Sequence, residues 1–147
     1  NCRFNGHCKD FFSVAQHTLN GYYVLKYFKY DLTVLREWFV HDVTEAYVAD
    51  VPRPLKELLT DYNTIEDEVA QVINVRFDVQ PVHHTLIHNI DILMYCMEAK
   101  YYMKDSSSID LDDKTYQELL HVVKMENRPF DEVEEEFLKV ARSLGFE

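Results

Sequence analysis

Apolar side chains recur at three- and four-residue steps through most of this chain, a period that leaves packed helices as almost the only architecture open to it. From Ser13 onward, Val14, His17, Thr18, Gly21, Tyr22, Leu25 and Phe28 share one helical face, and Ser13 is placed to cap it. Asp31 is placed to cap a second helix with Leu32, Leu35, Trp38 and Phe39 as its stripe. Pro52 and Pro54 then break the helix, and Leu55, Leu58 and Leu59 make a short helical segment beyond them. A helix over 61–77 follows, with Glu66, Asp67 and Glu68 complementing its dipole and Ile65, Val69, Val72, Ile73 and Phe77 as its apolar side. Val75 and Val79 leave a strand reading open there, but the period is closer to helix. Pro81 opens the run VHHTLIHNIDILMYCMEAKYYM, apolar nearly all round and so expected at the centre of the fold. Residues 105–113 read as a polar surface loop, and 114–124 and 129–144 as two closing helices with charge runs facing solvent. Three Gly and four Pro leave few tight turns. The expectation is one compact all-α domain of about six helices over residues 1–147.

Charge narrows the partners. Fifteen basic against 26 acidic side chains give a formal charge of -11, a field that repels both a nucleic-acid polymer and an anionic membrane. A small anionic substrate would need local relief from a metal or a few placed cations. Cys2, Cys8 and Cys96 are odd in number and fit no zinc spacing, which points to a reducing, cytoplasmic setting. The chain begins at Asn1 rather than Met, so an upstream segment is expected.

Chemistry concentrates in WFVHDVTEAYVADVPRPLK, residues 38–56. His41 and Asp42 close an apolar segment, and Glu45 and Asp50 follow within nine residues. If the helix continues, His41, Asp42 and Glu45 line one wall. A solvated helix end accounts for an isolated His-Asp pair but poorly for the whole stretch. Elsewhere His17 sits on the buried face of the first helix, where a single histidine is usually a satisfied core residue. Asp91 lies in the most apolar run, where an unpaired carboxylate is costly and needs a partner. His83 and His84 read as incidental. Taken together, His17, His41, Asp42 and Asp91 supply two imidazoles and two carboxylates, a mixed N/O set able to hold one divalent ion with positions left open to water.

The order H…HD…D, with SVAQHT around His17, HDVTEAYVADVPRPLK around His41 and NIDILMYCMEAKYY around Asp91, resembles the HD-domain phosphohydrolases over roughly residues 3–103. It is most similar to their compact single-domain members, the bacterial 5'-deoxynucleotidases and the phage dATP triphosphohydrolases. The resemblance implies that His17, His41, Asp42 and Asp91 bind a divalent metal (Mn, Co, Fe, Ni, Zn or Mg), with a second Mg accompanying a triphosphate. It implies Glu45 as the catalytic carboxylate for the attacking water and Asp50 as a second acid that binds sugar or assists the leaving group. Lys56 matches a basic position that holds phosphate. Arg3-Phe4 stand either where relatives place an Arg-aromatic pair on phosphate and base, or as a frayed terminus; the gap to His17 leaves both readings open.

Two positions depart from the pattern. His88 stands one turn before Asp91, where related phage enzymes carry a phosphate-binding Lys, and Gln16 stands where relatives often have Glu. An imidazole at 88 replaces that ammonium only in part. The implied function is hydrolysis of the 5' phosphoester of a deoxynucleotide. The first expectation is dATP to deoxyadenosine and triphosphate, and the alternative is a 5'-deoxynucleotidase acting on monophosphates. A catalytically idle nucleotide-binding module is a third reading, disfavoured because all four ligands and Glu45 are present. The resemblance further implies a homo-oligomer, dimer or hexamer, in the cytoplasm, that of the bacterial host if the protein is phage-encoded.

Overall fold

The computed structural model describes residues 1–146, and among them the regular structure is helical, with no strand beyond an isolated bridge between Cys2 and Ser13. Six helices exceed one turn: α1 (Val14–Tyr27), α2 (Leu32–Val40), α5 (Thr60–Arg76), α6 (His84–Tyr102), α7 (Asp113–Leu120) and α8 (Phe130–Ser143). Two single turns, α3 (Glu45–Val48) and α4 (Arg53–Lys56), lie between α2 and α5, and a 3-10 turn spans Arg3–Gly6. The all-α expectation is met.

Local chemistry sets several boundaries where it was expected to. Ser13 accepts a hydrogen bond from the Gln16 N–H at 3.1 Å and starts α1. Asp31 accepts from the N–H groups of Thr33 and Val34 and starts α2. Asp112, within the expected surface loop, also caps a helix, starting α7 through the Thr115 N–H. α1 packs on α2, α6 and α8, so it forms the middle of the molecule. Its own Leu19 and Leu25 pack with Trp38, Phe12, Met94, Met97 and Tyr102 in the core, each nearly or wholly removed from solvent. Each such side chain contributes about 1.5–3 kcal/mol by burial.

Four expectations need correction. Helix α2 stops at Val40, and residues 41–44 are turns, so the His41–Glu45 stretch is not one continuous helical wall. The break before the VPRP prolines comes at Ala49, whose φ of +69° no helix accepts, and Pro54 then lies in the first turn of α4, where its missing N–H costs nothing. Pro81 does not open α6, which starts three residues later because Glu37 receives its entering N–H groups. Helix α6 is buried on one side only: Ile87, Ile90, Met94 and Met97 face inward, whereas Ile92 and Tyr95 are exposed. Along α5 the expected apolar side is met in part: Val69, Ile73 and Phe77 pack against the core, while Ile65 and Val72 are exposed.

Candidate metal centre

The site forms where α1, the end of α2 and α6 meet. His17 comes from the first turn of α1, His41 and Asp42 from the turn that ends α2, and Asp91 from the middle of α6. One donor atom from each can be chosen so that all four lie within 4.8 Å of one another. Helix packing therefore brings together residues 74 positions apart.

The imidazoles are oriented from behind. His17 is fully buried, and its Nδ1–H donates to Glu98 Oε1 at 2.7 Å. His41 Nδ1–H donates to the Trp38 carbonyl at 2.6 Å, and the two rings stack at 4.0 Å. With both Nδ1 atoms used, both Nε2 atoms face the cluster, buried and with no hydrogen-bond partner, and would ligate an ion in their deprotonated form. His17 Nε2 lies 3.4 Å from Asp42 Oδ2 and from Asp91 Oδ1, and His41 Nε2 lies 3.2 Å from Asp42 Oδ1. Ligand bonds of about 2.0–2.2 Å put neighbouring donors roughly 3 Å apart. Two unpartnered imidazole nitrogens converging with two carboxylates at that spacing fit a divalent cation.

Trp38 is itself held, its Nε1–H donating to the Thr18 carbonyl at 2.8 Å. Gly21, one turn further along α1, lies directly under its ring.

Arg3 is no frayed terminus. It is buried, with Nη1 3.2 Å from Asp42 Oδ2 and Nε 3.2 Å from Glu98 Oε2. Its N–H donates to the Phe12 carbonyl, and Asn1 reaches the Glu45 carbonyl and receives the Val14 N–H, which pins the segment to α1 and α3. Phe4 and Asn5 adopt left-handed φ of 55° and 49°, an unfavourable conformation for non-glycine residues that these anchors maintain. The Phe4 ring lies 5.9 Å from Tyr95.

The field in the site is set by burial and by five carboxylates. Burial works against the charge of Arg3, but Glu98, Asp42, Asp91 and Glu45 outweigh it and hold the guanidinium charged. Burial likewise opposes ionisation of Asp42, yet His41, His17 and Arg3 keep its carboxyl well below the usual range. Burial, then the neighbouring charges of Asp42 and Asp50, push Glu45 up to about 8, and its Oε2 is buried without a partner. Burial also raises Asp50, against the pull of Arg3 and of the Phe4 N–H.

Lys56 does not join the cluster: its ammonium is engaged by Glu66 at 2.6 Å and lies over the Tyr62 ring. His88 stands, exposed, beside Asp91 in a cleft that opens onto the cluster. His83 is structural, bonded through Nδ1 to Glu37 at 2.8 Å. Sequence reasoning missed Glu98, the fully buried carboxylate that holds both His17 and Arg3. Its signal was present, since it lies two helical turns from Asp91 on the same face of an apolar run.

No family model matches the chain. Among curated proteins it is similar to the uncharacterized protein YfdR of Escherichia coli K12, 36% identical over 116 residues. That alignment covers 78% of this chain and 58% of YfdR, so the chain spans rather more than half of that relative's length.

Proposed function

We propose that the protein is a metal-dependent phosphohydrolase of the HD type, cleaving the 5' phosphoester of a deoxynucleotide. The observation that carries this reading is the convergence of two partnerless imidazole nitrogens and two carboxylates beside a buried, partnerless Glu45 oxygen. A divalent ion held by His17, His41, Asp42 and Asp91 would polarise a phosphoryl oxygen and acidify a water. Glu45 stands to take the proton of the attacking water, and cationic charge at the cluster would lower its raised pKa toward the base range. Arg3 donates to the phosphoryl oxygens as negative charge develops. Asp50, held toward its protonated form by burial, returns a proton to the departing 5' oxygen.

Triphosphate cleavage from dATP and phosphate release from a monophosphate share this chemistry. The charge census favours the monophosphate. Arg3 is the cation paired with Asp42 and Asp91, Lys56 is engaged by Glu66, and Asp42, Glu45, Asp50, Asp91 and Glu98 surround the site. A triphosphate would bring several more negative charges into that field. Product analysis with Mn, Co, Mg and Zn supplied separately, over four dNTPs and four dNMPs, decides between them. Nucleoside plus phosphate from monophosphates, lost in Glu45→Ala and Asp42→Ala, is the expected result. Nucleoside plus triphosphate from dATP moves the assignment to a triphosphohydrolase. No turnover with any metal leaves a binding module. Light scattering on the same preparation tests the homo-oligomer, dimer or hexamer, that we also propose.

A further inference from the structure

One cleft opens directly onto the metal cluster. It lies between α2, α5 and α6, has a volume of about 310 Å³, and shares His41 and Asp91 with the cluster. Its wall is apolar, made by Val40, Ile73, Pro81 and Ile87, and its polar groups are the Asn74 amide and the imidazoles of His84 and His88. Neither Lys nor Arg lines it. Its own carboxylate, Glu37, is already committed to the Val82 and His83 N–H groups and the His83 ring.

These properties select among the parts of a nucleotide. A chain of phosphates entering here would lose its water with no ammonium or guanidinium to replace it, and would face Asp91 and Glu37. A neutral ring system meets the opposite conditions: apolar walls to cover its faces and a few groups able to donate and accept at its edge. The volume lies at the small end of the roughly 300–1,000 Å³ typical of small-molecule sites. That suits one heterocycle with its sugar and excludes a longer oligonucleotide. Asn74 is the one amide on the wall, with a donor and an acceptor side by side on one carbon, the arrangement that matches paired donor and acceptor positions on a base edge.

We propose that this cleft binds the nucleoside part of the substrate, base inward between α5 and α6, with Asn74 reading the base edge and the phosphorus left over the metal cluster. The inference rests on the nucleotide-hydrolase reading for its ligand but not for its test. The measurement is calorimetric titration of the Mn-loaded full chain with each of the four deoxynucleosides and, separately, with inorganic phosphate. Ala70→Phe fills the cleft from α5, and Asn74→Leu removes the amide at similar volume. The expected result is a nucleoside affinity at least tenfold weaker in Ala70→Phe with phosphate affinity within twofold, and loss of preference among the four bases in Asn74→Leu. Thermal melting of each variant separates a filled cleft from an unfolded chain. Two results overturn the proposal: no nucleoside binding by the native protein, or nucleoside and phosphate weakened equally by Ala70→Phe. Nucleoside binding of the expected kind without hydrolysis of any nucleotide leaves the cleft assignment standing and overturns the hydrolase reading. Hydrolysis with a KM indifferent to Ala70→Phe does the reverse.

Discussion

At the scale of single residues, Glu98 is the group that would decide how well the candidate cluster holds a cation. One oxygen takes the His17 Nδ1–H and the other faces Arg3 Nε, so the residue sets the tautomer of a ligand and anchors the cation beside it. Removing such a carboxylate behind a ligating histidine typically weakens metal affinity by about 10- to 100-fold. Glu98→Ala is expected to do so, and to destabilise the fold by several kcal/mol because Arg3 keeps its buried charge with one partner fewer. Glu98→Gln keeps an acceptor for His17 but gives up the charge facing Arg3, so metal affinity should recover more fully than stability. Metal titration and denaturant unfolding of both variants check the split; equal recovery of both would refute it. The contrast with Asp91 shows what was legible at this scale. A carboxylate in an apolar helix announces that something must compensate it, and that reasoning led to Asp91. Glu98 satisfies the same rule, but its partners come from α1 and the N-terminal turn, which no spacing within α6 reveals.

Among the elements, α1 and the end of α2 supply three of the four candidate ligands, and at Gly21 the Trp38 ring lies against the α1 backbone. A Cβ there would overlap the Trp38 ring carbons. Helix propensity alone has Gly21→Ala stabilise by about 1 kcal/mol. Displacing a fully buried Trp in a packed core costs about 1–3 kcal/mol or more. Packing wins, and the variant should unfold at lower denaturant. The damage should reach the cluster too, since the Trp38 carbonyl and ring position His41. Weaker metal binding in Gly21→Ala is therefore expected alongside the lower stability, and a stabilised variant would show that Trp38 has room to move. Helix caps were readable here because Ser13 and Asp31 act within four residues of themselves. The end of α2 was not, because the turns at 41–44 satisfy tertiary demands, placing His41 and Asp42 toward α1 and α6. For the same reason the apolar run of α6 was visible while the exposure of its Ile92 and Tyr95 was not: which neighbour a face meets is decided by the whole assembly.

On the scale of the molecule, the segment after α7 is tied to α1 and α8 by a charged node away from the site. Glu136 on α8 receives the Tyr23 hydroxyl from α1, Lys124 Nζ at 3.0 Å and Arg128 Nη2 at 2.5 Å. Burial alone would raise its pKa, but the Tyr23 hydrogen bond and the Lys124 and Arg128 contacts prevail and bring it down to about 2. A carboxylate depressed in the folded state binds its proton more readily when unfolded. Its stabilisation is therefore complete above the unfolded value near 4.5 and is lost as pH falls from there through about 2. Solvent at the edge of the node screens these pairs, which reduces the contribution to about 1–2 kcal/mol. Glu136→Gln should lower stability by that amount at pH 7 and flatten its decline between pH 4.5 and 2, while leaving metal affinity unchanged because the node touches none of the ligands. Denaturant unfolding across that pH range gives the comparison. Parallel curves for the two proteins, offset but equally steep, would mean that acid acts through the carboxylates of the metal cluster instead, where Asp42 and Asp91 are also held below the ordinary carboxylate range.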